Sequence, residues 1–159
     1  AGELEVAPVD AAALLEDVVE SLVPAALAKQ IEIRIELADA PAAVLGNSPL
    51  LSEMLANLVD NAIRYTPPGG RVGIGVRQAG GWVAFIVADN GPGIPEAERQ
   101  RVLEPFYRSA AAGVDGSGLG LAITHEIALL HNGRITLIDA PGGGLVASVE
   151  IPATPVNRP

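Results

Sequence analysis

The chain has 159 residues, 49% of them hydrophobic, with a mean hydropathy of +0.35 and a formal net charge of −9. That length suits one domain with a real core, and the acidic balance argues against a binder of nucleic-acid phosphates, which needs a basic surface. No run approaches the roughly 20 apolar residues of a membrane span, no signal peptide is visible, and without cysteine there is neither a disulfide framework nor a thiolate metal site.

Residues 1 to 8 read as a lead-in without clear structure. A helix is expected over Val9 to Ala28, with Asp10 near its N-cap and Leu14, Leu15, Val18, Val19 and Leu22 on one face. Pro24 is expected to kink or split it. Ile31 to Leu37 alternates as a half-buried strand does, Ala38 to Pro41 make a turn, and Ala43 to Gly46 form a short strand. Ser48 then caps a strong helix with Pro49 at its first position. It runs to Tyr65 with Leu51, Leu55, Leu58, Val59 and Ala62 inward, and Thr66-Pro67-Pro68-Gly69-Gly70 stops it. Arg71 to Gln78 and Gly81 to Ala88 make a hairpin across Ala79-Gly80. The loop from Asn90 to Ser117 holds a short helix over Pro95 to Leu103. Leu119 to Leu130 is a third long helix, and Arg134 to Asp139 with Leu145 to Ile151 is a closing hairpin. The Pro-rich residues 152 to 159 are expected to be disordered. Together these elements imply one α/β (α+β) two-layer sandwich, a mixed and mostly antiparallel sheet with three helices on one face.

Four stretches could carry chemistry. Asn57 and Asn61 lie four apart, so they share one helix face. Amides among apolar residues need partners, and a neutral amide oxygen can complete the oxygen shell of Mg²⁺ when phosphates supply other ligands. Arg64, one turn on, could pair with a phosphate. Asp89 ends the apolar strand just before Asn-Gly and Pro-Gly; it is either an ordinary turn residue or an acceptor for an exocyclic amine such as that of adenine. Gly116-Ser117-Gly118-Leu119-Gly120 opens a helix, where free amides and the helix dipole favour an anion. It matches neither the Walker P-loop, since no Lys-Ser/Thr follows, nor a Rossmann turn, since no strand precedes it. Phe106 is expected to anchor the loop on the core and let it close over a ligand. His125 reads as a helix-surface residue and His131 as a helix C-terminal residue favoured by the dipole.

Taken in order, these stretches resemble the catalytic, ATP-binding domain of bacterial sensor histidine kinases, the fold shared with gyrase B, MutL and a heat-shock chaperone. Asn57-Leu-Val-Asp-Asn61-Ala-Ile-Arg-Tyr-Thr66-Pro is similar to the N box, and Asp89-Asn-Gly-Pro-Gly-Ile-Pro95 to the first glycine box. Glu104-Pro-Phe-Tyr-Arg108 is similar to the F box and Gly116-Ser-Gly-Leu-Gly-Leu-Ala122 to the second glycine box. The likeness extends from about Val9 to Ile151. It implies a sandwich with an ATP lid between the glycine boxes, with Asn61 binding Mg²⁺ and Asn57 near the phosphates, both with Arg64 in catalytic positions. Arg64, Tyr65, Ile94, Phe106 and Arg108 would line the nucleotide, Asp89 would accept from the adenine amino group, and Gly91 and Gly93 would flank the adenine and hinge the lid. Gly116, Ser117, Gly118, Leu119, Gly120 and Leu121 would wrap the triphosphate.

Hydrolytic members of that superfamily carry a Glu as general base where this chain has Asn57. An amide cannot take a proton at neutral pH, so transfer to an imidazole is favoured over hydrolysis. Nothing here resembles the family's phosphoacceptor segment, transmembrane helices or sensor region. The resemblance therefore implies a cytoplasmic catalytic domain of an inner-membrane receptor, without nucleic-acid or membrane contact of its own. Residues 1 to 8 would join it to a histidine-containing dimerisation domain of the same receptor, and a cognate response regulator would receive the signal. An anti-sigma-factor type of serine kinase, and a nucleotide-binding module without transfer, are the alternatives. Gly113 to Ser117 are expected to be mobile without nucleotide.

Overall fold

The structure, a computed structural model, describes residues 4–37, 41–105 and 120–154. The chain order is β1 (Ala7–Asp10), α1 (Ala11–Ala28), β2 (Glu32–Glu36), β3 (Ala43–Gly46), α2 (Ser48–Tyr65), β4 (Arg71–Ala79), β5 (Trp82–Asp89), two 3-10 turns (Glu96–Glu98 and Arg101–Leu103), α3 (Gly120–Leu130), β6 (Arg134–Asp139) and β7 (Leu145–Pro152). The main sheet runs β2-β4-β5-β7-β6, with only the β2–β4 pair parallel. That pair needs a long crossover, and the segment carrying β3 and α2 provides it. The expected sandwich of a mostly antiparallel sheet and three helices is therefore present. The expectations for the turn at 38–40, for Phe106 and Arg108, and for the stretch from Gly113 through Gly116, Ser117 and Gly118 to Leu119 lie outside the described residues.

The core follows from two periodicities. In β5, Val83, Phe85, Val87 and Asp89 are buried while the alternate residues are half-buried, so one sheet face lies against the helices. On α2, the five residues expected to face inward are all buried, and Met54 and Ile63 join them. Leu15, Val18 and Val19 of α1 fill the same core, flanked by the partly buried Leu14 and Leu22. Each such aliphatic side chain contributes about 1.5–3 kcal/mol relative to exposure.

Several local expectations are corrected. The helix over Val9 to Ala28 begins instead at Ala11, capped by Asp10, whose carboxylate accepts from the Ala13 N–H at 3.1 Å. Ala7 to Asp10, partly assigned to an irregular lead-in, pair antiparallel with β3 in a separate two-stranded sheet. Pro24 does not split α1, which is assigned as one helix from Ala11 to Ala28; both Pro24 and Glu20, whose carbonyl loses its i+4 donor, are exposed, so water can take that bond. Asn47 rather than Ser48 caps α2, its side chain accepting from Leu50 N–H at 3.1 Å, so Pro49 falls one position later. The first hairpin turns at Gly80-Gly81. The short helix expected over Pro95 to Leu103 is two 3-10 turns. Part of the expected tail is ordered: Pro152 ends β7, Ala153 bridges Val44, and Thr154 N–H donates to the Ala43 carbonyl at 2.8 Å.

The histidines also differ from expectation. His125 is half-buried, with Nδ1 shielded from solvent and, among the described residues, without a partner. His131 is 5% exposed; its Nε2 accepts from Asn47 N–H at 3.0 Å and its Nδ1 lies 2.8 Å from the Ile127 carbonyl. A carbonyl only accepts, so Nδ1 carries the proton and the ring is the neutral tautomer, not a dipole-stabilised cation. It ties the end of α3 to the start of α2. Replacing His131 with Ala should cost about 2 kcal/mol, because two bonds and a packed ring are lost together; urea unfolding of the variant reads this directly.

Candidate nucleotide site

Asp89 occupies the last core-facing position of β5, which places its carboxylate between the sheet and the helix layer. It is 9% exposed. Oδ1 accepts from Gly91 N–H at 3.0 Å and from Leu145 N–H at 3.3 Å. Among the described residues Oδ2 receives no hydrogen bond. Burial raises the carboxyl above its usual range, and the Gly91 and Leu145 amides oppose that shift. The arrangement holds one oxygen and leaves the other as an acceptor.

The turn after Asp89 is fixed on three sides. Asn90 Oδ1 accepts from Arg71 N–H at 2.7 Å, closing the start of β4. Gly91 lies so close to the end of α2 that a Cβ there would come within 2.8 Å of the Tyr65 carbonyl oxygen. Gly93 backs onto Gly144 of the closing hairpin, and a Cβ on Gly144 would stand 1.9 Å from the Asp89 carbonyl oxygen. A cleft of about 440 Å³ opens between Pro92 to Pro95 and the hairpin residues Asp139, Ala140, Gly143 and Gly144.

The α2 residues gather on the other side. Asn57 and Asn61 are half-buried, and neither amide makes a hydrogen bond among the described residues. The start of α3 lies beside Asn61: a Cβ on Gly120 would be 3.9 Å from Asn61 Oδ1. The Thr124 hydroxyl, within 3.0 Å of the Gly120 carbonyl and 3.4 Å of the Met54 carbonyl, holds the first turn of α3 onto α2. Arg64 is exposed and its Nε donates to Asp60 Oδ2 at 2.8 Å, so its guanidinium is engaged along the helix. Tyr65 is half-buried beside the turn at Gly91. Ile94 packs against the core edge. Leu121, expected at the triphosphate, is 7% exposed and its side chain is in the core; only its backbone can serve a ligand.

Sequence reading missed four contributors. Leu145 supplies the second amide to Asp89, and Gly144 the close approach that lets it do so. Lys29 donates to the Ile63 and Arg64 carbonyls at 2.9 and 2.6 Å, satisfying the open end of α2 just where Tyr65 meets the turn. Thr66 is fully buried, and its hydroxyl has no hydrogen-bond partner among the described residues. The glycine triplet 142–144 was visible, but its contact with Asp89 depends on the pairing of β5 with β7. Lys29 had a weak signal as a lone cation at a helix end.

The described residues thus bring a buried carboxylate at the end of β5 and two half-buried α2 amides, one of them beside Gly120 of α3, to the surface of the helix layer's polar end. The protein-family model described as "Histidine kinase-, DNA gyrase B-, and HSP90-like ATPase" matches residues 46–155, and the chain belongs to that family. It is 42% identical over 130 residues, 78% of this chain, to the signal transduction histidine-protein kinase/phosphatase MprB of Mycolicibacterium vanbaalenii. The chain spans about a quarter of that relative's length, 27%. A solved mycobacterial sensor histidine kinase MprB superposes with a TM-score of 0.82 at 34% identity, covering 96% of this chain and 100% of the other. Full-length ShkA in complex with AMPPNP gives 0.86 at 33% identity over 99% of this chain and 33% of its own. Histidine kinase ThkA in complex with the response regulator TrrA gives 0.82 at 26% identity, over 95% and 42%. Among the described residues no helix is long and apolar enough to cross a membrane.

Proposed function

We propose that this domain binds Mg-ATP between α2, the turn after Asp89 and the start of α3, and that it donates the γ-phosphoryl group to a histidine on a dimerisation domain outside this chain. The carrying observation is the Asp89 carboxylate, buried, held at Oδ1 by two amides and, among the described residues, open at Oδ2. Such an acceptor suits the adenine amino group and opposes the guanine carbonyl at the same place. The AMPPNP complex of ShkA and the histidine-protein kinase/phosphatase activity for which MprB is named support the reading.

The residues present fit a magnesium ion. No group of three or more His, Cys, Asp or Glu that could hold a metal occurs among the described residues, so protein carboxylates do not cage one. Asn61 offers a neutral oxygen beside the α3 N-terminus, where an ion also bound by phosphates can be completed. Bound Mg²⁺ supplies charge neutralisation for the phosphates. Asn57 and the amides from Gly120 onward orient the chain of phosphates, as Gly116 to Leu119 would. The bond from the γ-phosphorus to the bridging oxygen breaks, the bond to the imidazole nitrogen forms, ADP leaves, and the imidazole proton passes to a base on the partner domain. Positioning is what this chain contributes; Asn57 cannot activate water.

In this reading the stretch ahead of β1 leads in from the dimerisation helices, the whole receptor sits in the inner membrane with this domain in the cytoplasm, and a cognate response regulator accepts the phosphoryl group. The ThkA–TrrA complex supports that last step. Asn61→Ala should abolish most of the Mg²⁺-dependent gain in ATP affinity, about tenfold, while Mg²⁺-free binding changes little; calorimetry with and without the ion separates the two. The test of function is labelled γ-phosphate supplied with this domain and the dimerisation domain of its receptor. Acid-labile label on the histidine is expected. Binding without transfer would leave a nucleotide-sensing module.

A further inference from the structure

One charged side chain near the site has no part in the reading above. Arg99 follows the first 3-10 turn, and its side chain is only 18% exposed. Its Nη2 donates to Asp139 Oδ1 at 2.5 Å and its Nε to the Ile94 carbonyl at 3.2 Å. These two acceptors belong to the two walls that meet at Asp89. Ile94 follows Gly93 in the turn that leaves β5, and Gly93 backs onto Gly144. Asp139 ends β6 and is the cross-strand partner of Leu145, whose N–H holds Asp89 Oδ1. A single guanidinium thus joins the turn after Asp89 to the strand pair that supplies its second amide.

We propose that Arg99 is a positioning residue for base recognition, clamping the turn after Asp89 to the closing hairpin and so fixing the carboxylate that selects adenine over guanine. The inference rests on the nucleotide reading above. The residue type matters. A planar guanidinium donates in two directions at fixed geometry, whereas a lysine ammonium on a flexible stem is a single point charge. Arg99 is 18% exposed although its partner Asp139 is 83% exposed, whereas in Arg34–Glu32 both side chains, the arginine included, are more than half exposed, at 72% and 53%. Without the clamp, the Gly93–Gly144 approach and the 3.3 Å Leu145 bond must hold the hairpin to the turn, and the Leu145 amide can drift from Oδ1. Adenine then loses an oriented acceptor, and guanine is no longer so strictly opposed.

The test compares the wild-type domain with Arg99→Met, Arg99→Lys, Asp139→Asn, the double variant Arg99→Met/Asp139→Asn, and Arg34→Met as a surface-pair control. Amide hydrogen exchange of Leu145 and Gly91 is read without nucleotide, and affinities for non-hydrolysable ATP and GTP analogues are read by calorimetry. Arg99→Met and Asp139→Asn should each speed Leu145 exchange and lower the ATP-over-GTP preference, both roughly tenfold. The double variant should be no worse than either single, Arg99→Lys should fall between, and Arg34→Met should match wild type. A purely structural role would weaken both analogues equally and leave their ratio unchanged, which would overturn the proposal. So would an unchanged ratio and unchanged Leu145 exchange in Arg99→Met when the wild type binds and prefers ATP; the nucleotide reading would then survive and the clamp alone would fall. Wild type binding neither analogue would remove the nucleotide reading, and the base-positioning role with it.

Discussion

Asp89→Asn is expected to weaken ATP binding by about 100-fold or more and to leave the domain folded. The two side chains have the same shape, and the asparagine oxygen can still accept from Gly91 and Leu145. What changes is the second atom of the head group. An NH₂ replaces Oδ2, so the adenine amino group meets a donor in place of its acceptor. The change in fold stability should stay within about 1 kcal/mol, since weaker hydrogen bonds to a neutral acceptor are offset by relief from burying a charge.

The pH dependence gives that argument a second edge. Burial raises the Asp89 carboxyl in the folded domain, against the opposing pull of the Gly91 and Leu145 amides. A raised folded value means that the folded state takes up this proton more readily than the unfolded chain. The associated stability is therefore present below the unfolded carboxylate range and is lost as pH rises through the folded value. ATP affinity should run the other way, because only the ionised carboxylate is purely an acceptor; it should fall as pH drops through the same raised value. Urea unfolding and ATP titration, each compared with Asp89→Asn across acid pH, should show opposite slopes, and parallel slopes would refute the assignment.

Gly144→Ala should be the most damaging single-methyl change near the site, at about 3 kcal/mol or more. Gly144 has φ +103°, where an L side chain is strained, and its Cβ would stand 1.9 Å from the Asp89 carbonyl oxygen and 2.8 Å from the carbonyl carbon. The obstacle is backbone, so no rotamer change relieves it; the hairpin must separate from β5. Gly143→Ala is the control. Its φ is +114°, but a Cβ there has nothing within 4 Å, so it should cost only the strain, about 1–3 kcal/mol. Thermal unfolding of the two variants isolates the close approach, and ATP binding should fall with Gly144→Ala even well below its melting temperature. Equal destabilisation by the two would contradict the packing described.

What could be read ahead of the structure was local. The 3.6-residue spacing of Leu51, Leu55, Leu58 and Ala62 gives α2, and the same helix carries Asn57 and Asn61 at one address. The alternation of Val83, Phe85 and Val87 puts Asp89 on the core face two residues later. What could not be read depends on distant partners. Ala7 to Asp10 become a strand only because Ala43 to Gly46 lie alongside, and Asn47 takes the cap from Ser48 because its own N–H is held by His131, 84 residues away. Leu145 as the second hand on Asp89 requires the register of β5, β7 and β6 together. Leu121 shows a different limit. A motif assigned it to the ligand, while the helix period turns its side chain to the core.

Calorimetric titration with a non-hydrolysable ATP analogue, with and without Mg²⁺, on wild type and Asp89→Asn, goes most directly to the nucleotide site. One-to-one binding strengthened by Mg²⁺ and lost in Asp89→Asn is the expected result. Absence of binding by the wild-type domain, or binding that Asp89→Asn leaves intact, would contradict it.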